Sequence, residues 1–460
     1  MSRIMIAAYL KPNVLFVLID SLRPDKLFEK QKKVLYPTID NLVKNGVYFS
    51  NAVTTNHYTA QVMQTIFTSQ FPVGNKLDDK LYTKINSKDF SMISHLRNNG
   101  YSIFGTVQED VFLHGLSETF DNDDVQFKSS DNLYNGLAER ILNNIDSMDN
   151  PWFYYIHLED LHTPCVVPKE FEYLKFSERY DKNISEIDLL FDKILKKINL
   201  DETLIIITSD HGEYVSPIKG SLGEQSTPKT KIKNSIKKFL PKKELSKIHY
   251  TKQKLIGKYH AVKASSPHEK RLLSGKRHGK MNDLFEDILR IPLIFVGYGI
   301  NPHFPITKQV CNIDIFPTIM DIIGISDIDR KLDGRSLLPL IADNDFNEIP
   351  IYLTSSPILQ GLFRNVTLED MIFLVGIRTP NFKYFRNADD SSKNVHLYDL
   401  KNDPFENKNI CGEKLEIVNE MESLITKIQK DSQPLLTEET FLDMDEIKKV
   451  QESLKKLGYI

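Results

Sequence analysis

The chain is poor in cysteine and tryptophan. Its 460 residues include three cysteines, Cys165, Cys311 and Cys411, and a single tryptophan, Trp152. The cysteines stand far apart and outside any CxxC spacing, which argues against a disulfide framework and against a thiolate zinc site. An excess of one charge is also lacking. Lys and Arg number 59, Asp and Glu 62, and the net charge of -3 does not recommend nucleic acid as a partner. No apolar run approaches the roughly 20 residues of a membrane-spanning helix. The apolar patch from Ile4 to Leu10 is too short for a signal sequence with its cleavage site, and an apolar strand follows at once. A cytoplasmic location is therefore expected. What remains is the composition of a soluble globular protein, 41% hydrophobic and 26% charged. The length suits one large α/β domain with an appendage, or two to three domains.

Hydrophobic periodicity supplies the order of elements. Val14–Ile19 is a short β-branched run of the kind buried on both faces in a parallel sheet. Pro37–Gly46 has proline near its start and glycine past its end, the asymmetry of a helix. Further helices are expected from Thr59 to Ser69, Ile93 to Asn99, Leu133 to Met148, Ser185 to Ile198 and Asp314 to Gly324. Further strands are expected at Tyr101–Val107, Trp152–Leu158, Leu204–Thr208 and Ile291–Val296. Alternating strands and helices predict an α/β fold with a doubly wound, mainly parallel sheet. In such sheets ligands bind at the carboxyl ends of the strands. Asp20, His162 and the pair Asp210-His211 follow three separate apolar strands, so polar and titratable groups collect at that edge.

Two regions break the rhythm. Residues 216–276 are crowded with lysine and hold only three acids, Glu224, Glu244 and Glu269. This basic insertion suits an anionic substrate, and Ile232, Ile236, Phe239 and Leu240 make it a candidate for peripheral membrane contact; a flexible solvated loop explains it equally well. From Ile351 the pattern turns to short strands and a helix near Lys414 to Asp431. A catalytic domain over 1–350, a small antiparallel α+β subdomain over 351–430 and a charged helical tail over 431–460 are expected.

Several segments taken in order resemble the sulfatase branch of the alkaline phosphatase superfamily. They are Pro12–Asp20 with Leu22-Arg-Pro-Asp25, Pro37–Phe49, Asp210-His-Gly-Glu213, His278-Gly279 with Leu284-Phe-Glu286 and Arg290-Ile-Pro-Leu293, Asp314-Ile-Phe-Pro-Thr318, Leu332–Leu337, and Leu397–Pro404. The resemblance implies metal ligands at Asp20, Asp210 and His211. Sulfatases place Cys or Ser, in a C/S-x-P-x-R pattern, before an LTG-YP-like segment, and that residue becomes formylglycine. Here Phe67–Pro72 holds the downstream place. Counting back puts Thr59 at the nucleophile, with Gln61 and Met63 where Pro and Arg would stand. Relatives with a threonine nucleophile act on phosphorus esters, so a phosphoester hydrolase or phosphotransferase working through a phosphothreonine is expected. An anionic small molecule or a lipid-linked glycan is the expected substrate. A sulfatase of unusual type, or a non-catalytic binding protein that retains the fold, are the rival readings.

The chemistry suits these residue types. A threonine hydroxyl is a weak nucleophile at neutral pH until a divalent metal lowers its pKa, and a helix N-terminus adds partial positive charge. Taken alone, Thr59 would be a helix N-cap, Asp20 a turn cap, and Asp-His-Gly a turn. Ser21 stands where calcium sulfatases carry a second aspartate. A set of Asp20, Thr59, Asp210 and His211 therefore favours manganese or zinc over calcium or magnesium. A second D-x-x-x-H pair is not evident, so one divalent ion is expected. His162, in His157-Leu-Glu-Asp-Leu-His-Thr-Pro164, is assigned to an oxyanion contact or to leaving-group protonation. His157 reads as structural, and Asp160 as a supporting group. His278 is assigned to the ester, with Lys276 and Lys280 as competitors and His114 a weaker candidate.

Overall fold

The computed structural model of the protein describes residues 11–29, 34–73, 91–109, 120–128, 131–163, 165–215, 265–274, 284–302, 305–326, 328, 330–344, 346–355 and 372–432. In chain order the strands of the main body are β1 (Asn13–Ile19), β2 (Val47–Tyr48), β3 (Ala52–Val53), β4 (Ser102–Gln108), β5 (Gln126–Phe127), β6 (Trp152–Leu158), β7 (Thr203–Thr208), β8 (Arg290–Ile291), β9 (Leu293–Gly297) and β10 (Val310–Cys311). Seven of them make the central sheet, in the order β2-β9-β7-β1-β6-β4-β5. β1 lies parallel to both neighbours, with Leu18 opposite His157 on β6 and Thr208 on β7. β4 and β5 extend the parallel part. β9 and β2 close the other edge antiparallel. The sheet is thus mainly parallel, as the alternation of elements predicts.

Every residue of β1 is buried, because helices cover both faces. The two-residue repeat of a strand then divides its side chains between two cores. Val14, Phe16 and Leu18 join one core with the helices Thr59–Thr68, Met92–Asn98 and Ile315–Ile322. Leu15, Val17 and Ile19 join the other with Pro37–Asn45, Leu137–Ser147 and Phe176–Leu195. The last helix begins nine residues before the expected Ser185. Phe176, Tyr180, Ile184, Ile187, Phe191 and Ile194 keep an unbroken helical stripe, which the charged residues between them mask.

A second, antiparallel sheet follows: β11 (Ile351–Thr354), β12 (Leu374–Arg378), β13 (Phe382–Asn387) and β14 (His396–Asp399), paired in that order. The helix Leu415–Asp431 packs on it through Met421 and Ile425. This sheet shares a core with Val53, Leu284 and Cys311 of the main body. Partly buried Glu286 fastens it further, pairing with Arg378 at 2.8 Å and Lys383 at 3.1 Å. Most of the basic insertion lies outside the described residues, as do His114, His278, Lys276, Lys280 and the tail beyond Ser432. Its described end holds the helix Pro267–Ser274, where Arg271 donates to the carbonyls of Phe405 and Glu406.

Candidate metal and catalytic site

The carboxyl ends of β6, β1 and β7, three adjacent strands, supply the site. β1 runs on by one rung, with the Asp20 N–H donating to the Leu158 carbonyl at 2.8 Å. Ser21 then takes a left-handed φ of 64° while fully buried. That conformation is costly for a side-chain-bearing residue and persists where surrounding bonds over-determine it. They do so here. The Ser21 N–H donates to Asp210 Oδ1 at 3.1 Å, its hydroxyl donates to Asp20 Oδ1 at 2.6 Å, and its carbonyl accepts from the Tyr180 hydroxyl at 2.7 Å. The Leu22 N–H reaches Ser209 Oγ at 2.9 Å, and that hydroxyl donates to the His211 carbonyl at 2.7 Å. The turns after β1 and β7 are stitched into one unit. Ser21 does not replace a missing carboxylate; it aims the one that is present.

Each aspartate has one oxygen held by the fold and the other directed inward. Asp210 Oδ1 also accepts the His211 N–H at 2.8 Å. Asp210 Oδ2 faces Thr59 Oγ1 at 2.6 Å and His211 Nε2 at 3.1 Å. Asp20 Oδ2 stands 3.5 Å from Thr59 Oγ1. The ligand atoms of Asp20, Asp210 and His211 all lie within 4.8 Å of one another, and all three residues are buried. His211 Nδ1 sits 3.1 Å from the Gly212 carbonyl, which can only accept. The Nδ1 proton is used there, so in the neutral ring the Nε2 lone pair converges with Asp210 Oδ2 on one point. Lone pairs from an imidazole, two carboxylates and a hydroxyl meeting in a buried place fit a divalent cation.

Thr59 reaches this point because a structured loop delivers it. The Asn56 side chain accepts the Tyr58 N–H at 2.8 Å and donates to Gln61 at 2.6 Å and to Thr354 at 2.8 Å. The helix Thr59–Thr68 then begins, with Tyr58 as its cap residue and no side-chain cap bond. Thr59 is therefore not the N-cap; its hydroxyl belongs to the cluster. Gln61 serves as a latch on Asn56. Met63, where a sulfatase carries arginine, is fully buried among Phe16, Phe67 and Tyr155.

The structure brings together Asp20, Thr59, Asp210 and His211. His162 lies half-buried in the turn after β6, its N–H donating to the Glu159 carbonyl at 2.9 Å. The Asp160 carboxylate accepts the Leu133 N–H at 3.0 Å, and burial raises its pKa to about 6. Cys165 is kept a thiol, its pKa pushed well up by burial and by Glu213, and is no nucleophile. His157, read from the sequence as structural, is fully buried, with Nε2 3.9 Å from Asp20 Oδ2. A cleft of about 410 Å³ lined by Arg23, Phe28, His268, Asp287, Arg290 and Phe405 contains none of the cluster residues. It borders the cluster's loops through Arg23, which donates to the Glu213 carbonyl at 2.8 Å, and through Asp287, whose backbone lies against Gly212.

Residues 12–325 match a family model described as Sulfatase, and residues 278–431 match one described as N-sulphoglucosamine sulphohydrolase, C-terminal. Arylsulfatase K of Mus musculus is 29% identical over 164 residues, which are 36% of this chain and 29% of that protein. The chain thus spans under a third of the length of that curated relative. Phosphonate Monoester Hydrolase of Agrobacterium radiobacter shares the fold at a TM-score of 0.62 and 16% identity, over 94% of this chain and 99% of that one. So does a protein solved in complex with its substrate D-Glucosamine-2-N, 6-O-disulfate, at 0.60 and 15%, over 93% and 100%. These two likenesses establish the fold alone. The family models and the arylsulfatase relative overturn the phosphorus-ester expectation and favour its rival, a sulfuric ester. The expectation failed because it weighed one residue, Thr59, against signatures spread over the whole chain.

Proposed function

Since the chain belongs to the sulfatase family, we propose that it is a metal-dependent hydrolase of sulfuric esters on an anionic glycan, with Thr59 as nucleophile. The observation that carries this reading is the Thr59 hydroxyl lying 2.6 Å from Asp210 Oδ2 at the convergence of the aspartates and His211. A sulfated sugar as substrate is supported by the fold neighbour bound to a glucosamine disulfate. Thr59 Oγ1 attacks sulfur in line with the departing sugar oxygen. The new O–S bond forms as the ester S–O bond breaks, and the hydroxyl proton passes to Asp210 Oδ2. His162 protonates the sugar oxygen. In the second half a water attacks the sulfothreonine sulfur and gives its proton to His162. Thr59 Oγ1 leaves, regains its proton from Asp210, and sulfate is released. A divalent ion held by Asp20, Thr59, Asp210 and His211 would supply a Lewis acid for the hydroxyl and the sulfuryl oxygens. The imidazole in this donor set favours manganese or zinc. His278 is retained, on the resemblance alone, as a second contact to the sulfuryl group.

The test is sulfate release from 4-nitrophenyl sulfate with added Mn2+. Wild type should turn over, and Thr59→Ala should lose at least ~10³-fold in kcat while binding substrate. Unchanged turnover in Thr59→Ala would remove threonine from the mechanism. Hydrolysis of bis(4-nitrophenyl) phosphate with none of the sulfate ester would refute the substrate class.

A further inference from the structure

Tyr155 and His157 stand two residues apart on β6 and so share a face, and Tyr155 packs against Phe67 of the Thr59–Thr68 helix. Neither contributes an atom to the mutual cluster of Asp20, Asp210 and His211. The Tyr155 ring is clamped edge-on by Phe16 at 5.4 Å and by Phe67 at 5.2 Å, and Phe120 stacks on it at 6.4 Å. With the ring fixed, the hydroxyl is fixed. It lies 3.1 Å from His157 Nδ1. The other nitrogen, Nε2, is fully buried without a hydrogen-bond partner among the described residues, and it faces Asp20 Oδ2 at 3.9 Å.

Two independent considerations fix the direction of this chain. Burial, with the nearby Asp210 and Asp20 carboxylates, holds the Tyr155 phenol protonated by pushing its pKa well up. A buried hydroxyl must donate to something, and His157 Nδ1 is its partner. The imidazole proton is then on Nε2. At the far end, 3.9 Å is beyond hydrogen-bond reach, but the positive end of an Nε2–H dipole is favourable beside a carboxylate, whereas an Nε2 lone pair would face the lone pairs of Asp20. Both ends demand the same tautomer.

We propose that Tyr155 and His157 form a buried strut that positions Asp20: the phenol donates to Nδ1, and the Nε2–H dipole, 3.9 Å away, biases the inward oxygen of the carboxylate electrostatically into line for a divalent cation. His157 is a positioning residue in this arrangement, not a ligand. Asp20 Oδ1 is held by the Ser21 hydroxyl at 2.6 Å, and the strut bears on the other oxygen, Oδ2. Partners that orient a metal ligand are commonly worth roughly 10- to 100-fold in metal affinity.

The inference rests on the reading of Asp20, Asp210 and His211 as a metal site, and is tested apart from catalysis. The affinity of the purified protein for Mn2+ is measured by chelator competition, alongside the thermal midpoint of the metal-free protein. His157→Leu should weaken binding roughly 10- to 100-fold. His157→Gln, which keeps an N–H near Nε2, should recover most of the loss. Tyr155→Phe should fall between, since it frees the tautomer but keeps the ring. If His157→Leu does not fold, His157→Gln and Tyr155→Phe carry the comparison, and equal affinities in both and wild type overturn the strut. A folded His157→Leu that binds like wild type also overturns it, and leaves the metal site standing. If wild type itself binds no Mn2+, the metal reading and the strut both fall.

Discussion

Asp314 offers a measurement in which a buried carboxylate sets the pH dependence of stability. The Asp-Ile-Phe-Pro-Thr segment gives it two partners, both backbone. Oδ1 accepts the Arg335 N–H at 2.9 Å and Oδ2 the Cys311 N–H at 2.8 Å. It thereby ties the end of β10 to the Asp-Gly-Arg-Ser loop. Burial nevertheless dominates and raises its pKa from 3.8 to about 6. A shift of about two units is worth about 3 kcal/mol. The sign follows from linkage. A carboxylate raised in the folded state adds stability that is complete below the unfolded value and is lost as pH rises through about 6. At about pH 5 the folded group is roughly ten parts in eleven protonated while the unfolded group is ionised, so about 1.4 kcal/mol of that total separates about pH 5 from about pH 8. Asp314→Asn cannot ionise. It should be less stable at both pH values, because its amide turns a donor toward one of the two N–H groups at a cost of about 1–3 kcal/mol. The wild-type-minus-variant difference in stability should also shrink by about 1.4 kcal/mol on going from about pH 5 to about pH 8. Urea unfolding of both proteins at the two pH values reads this directly. Asp160, whose pKa is also raised to about 6, is common to both proteins and cancels in the difference. A wild-type-minus-variant gap that stays constant with pH would refute the argument.

Two further outcomes follow from the site itself. Gly212 lies flush against the 287–288 backbone, where an added Cβ would overlap the Asp287 carbonyl oxygen and stand 3.2 Å from its carbon; Gly212→Ala should cost about 1–3 kcal/mol in urea unfolding and weaken Mn2+ binding, because the turn that moves carries Asp210 and His211. Mn2+ at about a hundred times its dissociation constant should stabilise wild type by about 2.7 kcal/mol in thermal unfolding, and Asp210→Ala should show no such gain.

The fold was legible because its signal is local. β1, β6 and β7 are apolar runs buried on both faces, and such runs belong to a parallel sheet covered by helices. Asp20, Asp210 and His211 were legible for a related reason. A polar residue directly after a buried strand has few places to point other than the sheet's edge. The antiparallel attachment of β9 was not legible, since an apolar pentapeptide carries no mark of direction. The start of the Phe176–Leu195 helix was lost because Ser-Glu-Arg and Asp-Lys-Asn interrupt the eye but not the stripe. For His157, alternation along β6 reports only that a side chain is inward. Whether inward means core or site depends on the distance to Asp20, which is set by pairing across 137 residues of chain.

Family and nucleophile pull in different directions, and general chemistry shows how they are reconciled. A hydrated aldehyde carries two oxygens on one carbon, so it can expel sulfate by breaking a carbon–oxygen bond. Thr59 carries one. On the proposed pathway the second half of the reaction must break the sulfur–oxygen bond, and water must reach sulfur from the side opposite Thr59 Oγ1. That places a demand on the groups facing the cluster rather than on the cluster itself. A proton acceptor has to stand on the far side of the sulfuryl group, and it has to be available at neutral pH. An imidazole satisfies both conditions where a thiol such as Cys165, held protonated by burial, does not. Replacing the modified residue by threonine therefore shifts catalytic weight from the nucleophile to the imidazole assigned to protonate and then deprotonate across the site, which gives His162 a larger role here than leaving-group protonation alone would require.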